Sequence, residues 1–433
     1  MKSSRRCAPP SALGARRARA NRRRGCQPSP PVGLYVHVPF CVSMCPYCDF
    51  VVYAGVHARG PAARIEAFAG AVSAELELRA DALDARFGPL DNLDRPPLRS
   101  VYFGGGTPSL LPSATITKML ALVRHRFGLA PDAEVTLEAN PGVNERGDLS
   151  SLVAAGIDRL SLGAQALDLP TLRRLGRRHA PADVDDAVGE ARAAGIRSVG
   201  LDLLYDVPDQ TLDGWAATLD RALALEPDHL SLYALTLDDP DAEGLTGPTG
   251  DHLPVRAGAR RWRARARNGQ DDDRAAQMYE LAADRLGRAG FRGYEISNWA
   301  RPGHESRHNL AYWRRESVEA VGPGAHAFDG AVRRWNAARL EPYLAALAPV
   351  NGDLPSLPPG GSTRITDTEA TAERVILGLR LDDGIPAAGG ERQRFAAAFG
   401  WARGLGLVRD AGDRIVLTTR GRLLSNELFV RLL

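Results

Sequence analysis

Gly33-Leu-Tyr-Val-His-Val-Pro-Phe-Cys41-Val-Ser-Met-Cys45-Pro-Tyr-Cys48-Asp-Phe50 is the stretch on which the reading of this chain turns. Residues 34–38 form an apolar run of buried-strand length, and Pro39, with no amide proton to give a ladder, ends it. Three thiols, Cys41, Cys45 and Cys48, follow on one short loop. Thiols this close point to a metal group. A cubic [4Fe-4S] cluster has four iron corners and is usually held by four thiolates. Three cysteines leave one iron open to an exchangeable ligand beside an electron source. Structural zinc is the competing reading, since His37 would complete a Cys3His set; against it, His37 lies on the strand side of Pro39 and the chain has no second CxxC pair. An odd number of thiols, close together, argues against a disulfide.

CxxxCxxC after a strand, with Tyr47 just before the third cysteine, resembles the radical S-adenosylmethionine (SAM) superfamily. Within it, Tyr-x-His-x-Pro-Phe-Cys-x-x-x-Cys-x-x-Cys resembles the oxygen-independent coproporphyrinogen III oxidases and their relatives. The resemblance implies a [4Fe-4S] cluster on the three cysteines, with SAM chelating the open iron through its amino and carboxylate groups and Tyr35 and Tyr47 beside it. One electron from the cluster would then give a 5'-deoxyadenosyl radical, the hard chemistry belonging to the cofactor.

Other stretches gain meaning from that resemblance. Gly104-Gly-Gly-Thr-Pro108 directly follows the strand-like Ser100-Val-Tyr-Phe103. Glycines there let a backbone approach a ligand and present its N–H groups, although a plain tight turn reads equally well. In the family this GGGTP motif contacts the amino-acid end of SAM, which gives Gly105, Gly106 and Thr107. Glu138 closes the strand 134–138, at the carboxyl end where α/β folds place ligand-binding residues. A strand-end Glu is more often a cap or a solvated charge; the resemblance makes it a SAM contact. It also carries over Gln165, Arg177, Asp202 and Thr236 as contacts to a second SAM or its equivalent. Arg177 stands in an Arg-rich run, where a solvated face is the plain alternative. One departure is visible: the family's Asp-Leu-Ile-Tyr-Gly-Leu-Pro is here Asp202-Leu-Leu-Tyr-Asp206-Val-Pro208, so a glycine of that loop is lost.

With 433 residues, 44% of them apolar and 25% charged, the chain has the balance of an ordinary globular protein and room for one large domain with smaller ones. No apolar run approaches the length of a membrane span. Residues 1–32 hold nine basic residues and no acid, so a net charge of +3 for the whole chain becomes −6 for the rest, which argues against a nucleic-acid protein. The leader lacks an apolar core and is not a secretory signal; a transit peptide, a solvated tail or an over-read start all fit it. Cys7 and Cys26 have no ligand-like spacing, and five cysteines, three of them clustered, suit a reducing compartment such as the cytoplasm.

Strand-like runs at 34–38, 100–103, 134–138, 159–163, 198–205 and 229–235 alternate with helical patterns. This predicts parallel βα units, hence an α/β fold with a partial or closed (β/α) barrel of the radical SAM type over 33–270 and its site at the carboxyl strand ends. Residues 238–272, polar and rich in Gly, Pro and Arg, read as a solvated excursion, though their Arg-Trp mixture could attract a propionate or nucleic acid. Residues 271–364 form a family-specific region, and 365–433, after a Pro/Gly-rich stretch, read as a small helical, winged-helix-like C-terminal domain.

Within 271–364, Ser306-Arg-His308-Asn309-Leu-Ala-Tyr312-Trp313 is a dense polar and aromatic group outside a helical or strand period. It resembles the HNxxYW motif of the HemW-type haem chaperones. That resemblance implies haem as ligand and His308 as its axial base, a role that neutral imidazole fills well. His326, in Gly322-Pro-Gly-Ala-His326, is a second candidate. Two functions follow: a haem chaperone passing haem to an acceptor protein, or a coproporphyrinogen oxidase. The oxidases continue CxxxCxxC with x-Cys, whereas this chain has Asp49-Phe50, which favours the chaperone. A radical SAM enzyme acting on another substrate stays open. The acceptor and the electron donor are not readable, and peripheral membrane contact is left open.

Overall fold

The computed structural model describes residues 26–55, 64–90, 94–348 and 354–433. The basic residues of the leader, and Cys7, lie outside the described residues. Five βα units and a sixth strand build the frame: β1 (Gly33–Val38), α1 (Ile65–Phe87), β2 (Leu98–Gly105), α2 (Ser113–Arg126), β3 (Leu129–Ala139), α3 (Leu149–Ala155), β4 (Arg159–Gln165), α4 (Pro181–Ala194), β5 (Ser198–Tyr205), α5 (Leu212–Ala224) and β6 (His229–Ala234). These strands pair in sequence order and in parallel. A seventh parallel strand, Val318–Val321, adds to the free side of β1, which the sequence reading did not anticipate. Antiparallel strands extend both ends into an open twelve-stranded sheet. Among the described residues no pairing closes it into a barrel, so the partial form is the one found.

The strands alternate strictly. Leu34, Val36 and Val38 on β1, Val101 and Phe103 on β2, and Leu160 and Leu162 on β4 are fully buried under the helices. Their neighbours, Tyr35, Tyr102 and Ser161, point the other way, into the concave interior, because successive strand side chains face opposite sides. Helix ends are set locally: Asp148 accepts from the amides of Ser150 and Ser151, and Thr211 from that of Gly214.

Residues 238–272 differ from the solvated excursion expected. They contain helix α6 (Ala257–Arg267), which packs on the cysteine loop, and α7 (Asp272–Arg288) follows it. Ala and Arg are strong helix formers, but α6 buries a guanidinium in place of an apolar stripe, so hydrophobic periodicity does not reveal it. The HNxxYW group also proves regular, forming helix α8 (Arg307–Trp313) capped by Ser306. Beyond it a separate core, built on Val375, Phe399, Ile415 and Leu428, gathers helices around a three-stranded sheet. Near the end of the chain two short helices, Thr419–Leu423 and Ser425–Phe429, meet at Leu424. Among the described residues no helix is long and apolar enough to cross a membrane.

Candidate metal and cofactor site

Pro39 ends β1, and a short strand, Phe40–Cys41, turns the chain across the carboxyl ends of the sheet by pairing with Tyr53–Ala54. Phe40 anchors that turn, fully buried and edge-on to Phe68 with ring centroids 5.3 Å apart. The loop that follows carries Cys41, Cys45 and Cys48 as free, half-buried thiols on the wall of one cavity of about 400 Å³. Three thiols on the wall of a space of this size suit a polynuclear cluster. His37 is not a fourth ligand here: its ring lies against the Tyr35 hydroxyl at 3.0 Å and the Val51 carbonyl at 2.9 Å, and burial lowers its pKa to about 4. Burial pushes the Cys41 thiol up to about 11 and Cys48 higher still.

The glycine turn at the end of β2 comes close to this loop. Gly105 has φ +113°, and a side chain there would strike the His37 ring; a Cβ on Gly106 would sit 2.6 Å from the Phe40 carbonyl oxygen. Thr107 faces Cys41, its hydroxyl 3.3 Å from Sγ. Asn140 donates to the Thr107 hydroxyl and accepts from Arg177, whose guanidinium also donates to the Gly163 carbonyl and, at 3.6 Å, to Cys45 Sγ. Arg177 therefore leaves its Arg-rich neighbours and turns inward.

Glu138 lies deeper, accepting from the Tyr102 hydroxyl (2.8 Å) and the Gly105 amide (2.9 Å). Burial raises its carboxyl pKa to about 7 despite both donors. Asp202, on β5, accepts from Ser161 at 3.1 Å and is also raised by burial. Gln165 closes β4 in a left-handed conformation, φ 65°, where the register with β5 shifts. Tyr47, Gly105, Gly106, Glu138, Gln165, Arg177, Asp202 and Thr236 thus share one cavity with the three cysteines. Tyr35 and Thr107 stand behind its wall, Tyr35 on His37 and Thr107 on Cys41.

His308 sits at the opposite, amino-terminal end of the strands, 1% exposed. Nδ1 lies 3.0 Å from the Ser100 hydroxyl and Nε2 3.1 Å from that of Tyr312, the ring stacks on Tyr102, and burial lowers its pKa to about 3. Its neighbours Ser306 and Asn309 reach the floor of the cavity. His326 is far more open, its side chain 43% exposed, with Nε2 2.9 Å from Asp251 and its ring stacked on Trp335. Phe50, 62% exposed, stands at the cavity mouth.

Residues that the sequence reading passed over complete the site. Asn140 bridges the glycine turn and Arg177; Ser161 holds Asp202; Arg263 of α6 grips the cysteine loop. The available signal was polar residues at every second position of strands otherwise read as plain apolar runs, as in Arg159-Leu-Ser-Leu-Gly163.

Residues 35–222 match the Radical SAM superfamily. The chain is 39% identical over 409 residues, covering 94% of itself and 96% of the relative, to the heme chaperone HemW of Mycobacterium tuberculosis. It is 36% identical to heme chaperone HemW of Escherichia coli, covering 69% and 70% of the two chains. Among solved structures it is similar to the coproporphyrinogen III oxidase HemN of Escherichia coli, a radical SAM enzyme, with a TM-score of 0.73 at 23% identity over 94% and 91% of the two chains.

Proposed function

This chain belongs to the HemW family of the radical SAM superfamily, and from that premise we propose that it binds haem and hands it to an acceptor protein while carrying a [4Fe-4S] cluster and an exchangeable SAM. The observation that carries this reading is the similarity to HemW along nearly the whole of both chains, since the cavity alone would serve any radical SAM protein. Cys41, Cys45 and Cys48 would hold the cluster. Gly105, Gly106, Glu138 and Tyr47 would border a SAM on its open iron, with Gln165, Arg177, Asp202 and Thr236 deeper or across the cavity. When bound, cluster and SAM supply one-electron chemistry. The chain's own residues do the rest. The Gly105 amide and the Tyr102 hydroxyl orient Glu138, and a cation bound beside it would favour its carboxylate form. Arg177 sets a positive charge against Cys45, and α6 holds the outer side of the loop through Arg263.

For haem, His308 is the proposed axial ligand. Burial keeps its imidazole neutral, the form that binds iron, and withdrawal of the Tyr312 hydroxyl would free Nε2. His326, oriented by Asp251, is the alternative. The cytoplasm is the proposed compartment. Haem added to the reconstituted protein is expected to bind one per chain, read from the Soret band. His308→Ala should weaken binding by about tenfold or more while leaving iron and sulfide in place. Loss only in His326→Ala would move the ligand to that histidine. Decarboxylation of coproporphyrinogen III by the intact protein would instead support the oxidase reading that the shared fold leaves standing.

A further inference from the structure

Helix α6 turns one of its five arginines inward. Arg263 is 4% exposed, and its guanidinium donates to three successive carbonyls of the cysteine loop: Pro46 at 3.1 Å, Tyr47 at 3.1 Å and Cys48 at 2.9 Å. A further bond runs to the Asp238 carbonyl. Next to it, Trp262 donates to the Arg174 carbonyl at 3.1 Å, and its ring lies 6.4 Å from that of Tyr47. The helix is therefore fastened to the loop and to the segment beneath it.

The charge balance is unusual. Among the described residues Arg263 bonds only carbonyls, and Arg177, which approaches the same loop from the cavity side, bonds Asn140, the Gly163 carbonyl and Cys45 Sγ; neither forms an ion pair with a carboxylate. A buried guanidinium without an anion is costly, and carbonyl dipoles compensate it only in part. Three thiolates on a [4Fe-4S] core carry a net negative charge that grows by one on reduction. Such a cluster would place an anion beside both arginines.

We propose that Arg263 is the positioning residue of the iron–sulfur loop: it fixes the carbonyls between Cys45 and Cys48 and places a permanent positive charge behind the cluster, favouring the reduced state. This rests on the cluster reading above, and none of the motifs that identify the family includes α6. Arg263 holds the loop from α6 and does not line the cavity, so its charge would act with or without a ligand there.

The test compares Arg263→Gln, which removes the charge and keeps a donor, with Arg263→Lys, which keeps the charge and loses the fork. Arg261→Gln, on the exposed side of the same helix, removes the same charge from solvent. Each protein is reconstituted anaerobically with iron and sulfide. Iron per chain, the midpoint potential in a dithionite titration and the melting temperature of the metal-free protein are then measured. Arg263→Gln should hold less iron and reduce at a more negative potential, Arg263→Lys should keep a potential near wild type, and Arg261→Gln should match wild type in both. Wild-type iron content and potential in Arg263→Gln would overturn the proposal. So would equal losses of iron and melting temperature in both Arg263 variants, which would make the residue a packing element. A wild-type protein that takes up no cluster would fault the cluster reading itself.

Discussion

Glu138 has its two donors, Tyr102 and Gly105, in place, yet burial still lifts its carboxyl to about 7. Between the ordinary carboxyl value near 4.5 and about 7 the folded chain holds a proton that the unfolded chain has released, so this residue's contribution to stability is present at low pH and lost as pH rises through 7. Glu138→Gln removes that dependence. Urea denaturation of the metal-free proteins should show the variant gaining on wild type by about 2–3 kcal/mol between pH 5 and pH 8; an unchanged gap would place Glu138 in open solvent. At this scale legibility follows sequence distance. The cysteines are readable because their meaning lies in local spacing, whereas Asn140, Ser161 and Arg263 act on partners that only the fold brings to them. His308 is readable as a motif, but its burial between Ser100 and Tyr312 is not, because Ser100 lies 208 residues away in sequence.

The β5–α5 turn has Asp206 where the family motif has glycine, and its backbone there is left-handed, φ 54°. Its carboxylate accepts from Arg274 at 2.5 Å and from the Asp271 amide at 3.3 Å, tying the turn to the start of α7. An L-residue in this region costs roughly 1–2 kcal/mol, which the charge-assisted bond to Arg274, worth about 1.5–3 kcal/mol, offsets. Asp206→Gly, losing the bond but relieving the backbone, should destabilise by about 1 kcal/mol in urea. Asp206→Ala, losing the bond and keeping the strain, should cost roughly 1 kcal/mol more than the glycine variant. Equal losses would mean that the backbone strain is negligible. The six strands of the frame were legible from apolar runs separated by helical periods. Helix α6 was not, because its buried residues are Arg263 and Ala266, and a guanidinium bonded to carbonyls looks like a solvated charge in sequence.

Across the whole molecule, Glu75 joins the parallel frame to its extension. This fully buried carboxylate on α1 accepts from Arg79, from Asn336 (2.8 Å), from the Tyr343 hydroxyl (2.8 Å) and from the amide of Gly322, which opens the turn leading to His326. Glu75→Ala leaves Arg79 buried without its anion and should cost about 3–5 kcal/mol in urea denaturation, with Glu75→Gln milder; a loss under 1 kcal/mol would mean that water replaces the carboxylate. The extension itself was hard to read, since its strands are short and its order depends on contacts such as these. What the three thiols hold at the carboxyl ends of the sheet decides how this molecule works. Iron and acid-labile sulfide in protein reconstituted without oxygen test it most directly, with Cys45→Ser alongside. About four of each per chain, a spectrum that changes when SAM is added, and loss of the cluster in Cys45→Ser are the expected results. Zinc in place of iron, or an unchanged spectrum in Cys45→Ser, would contradict the account.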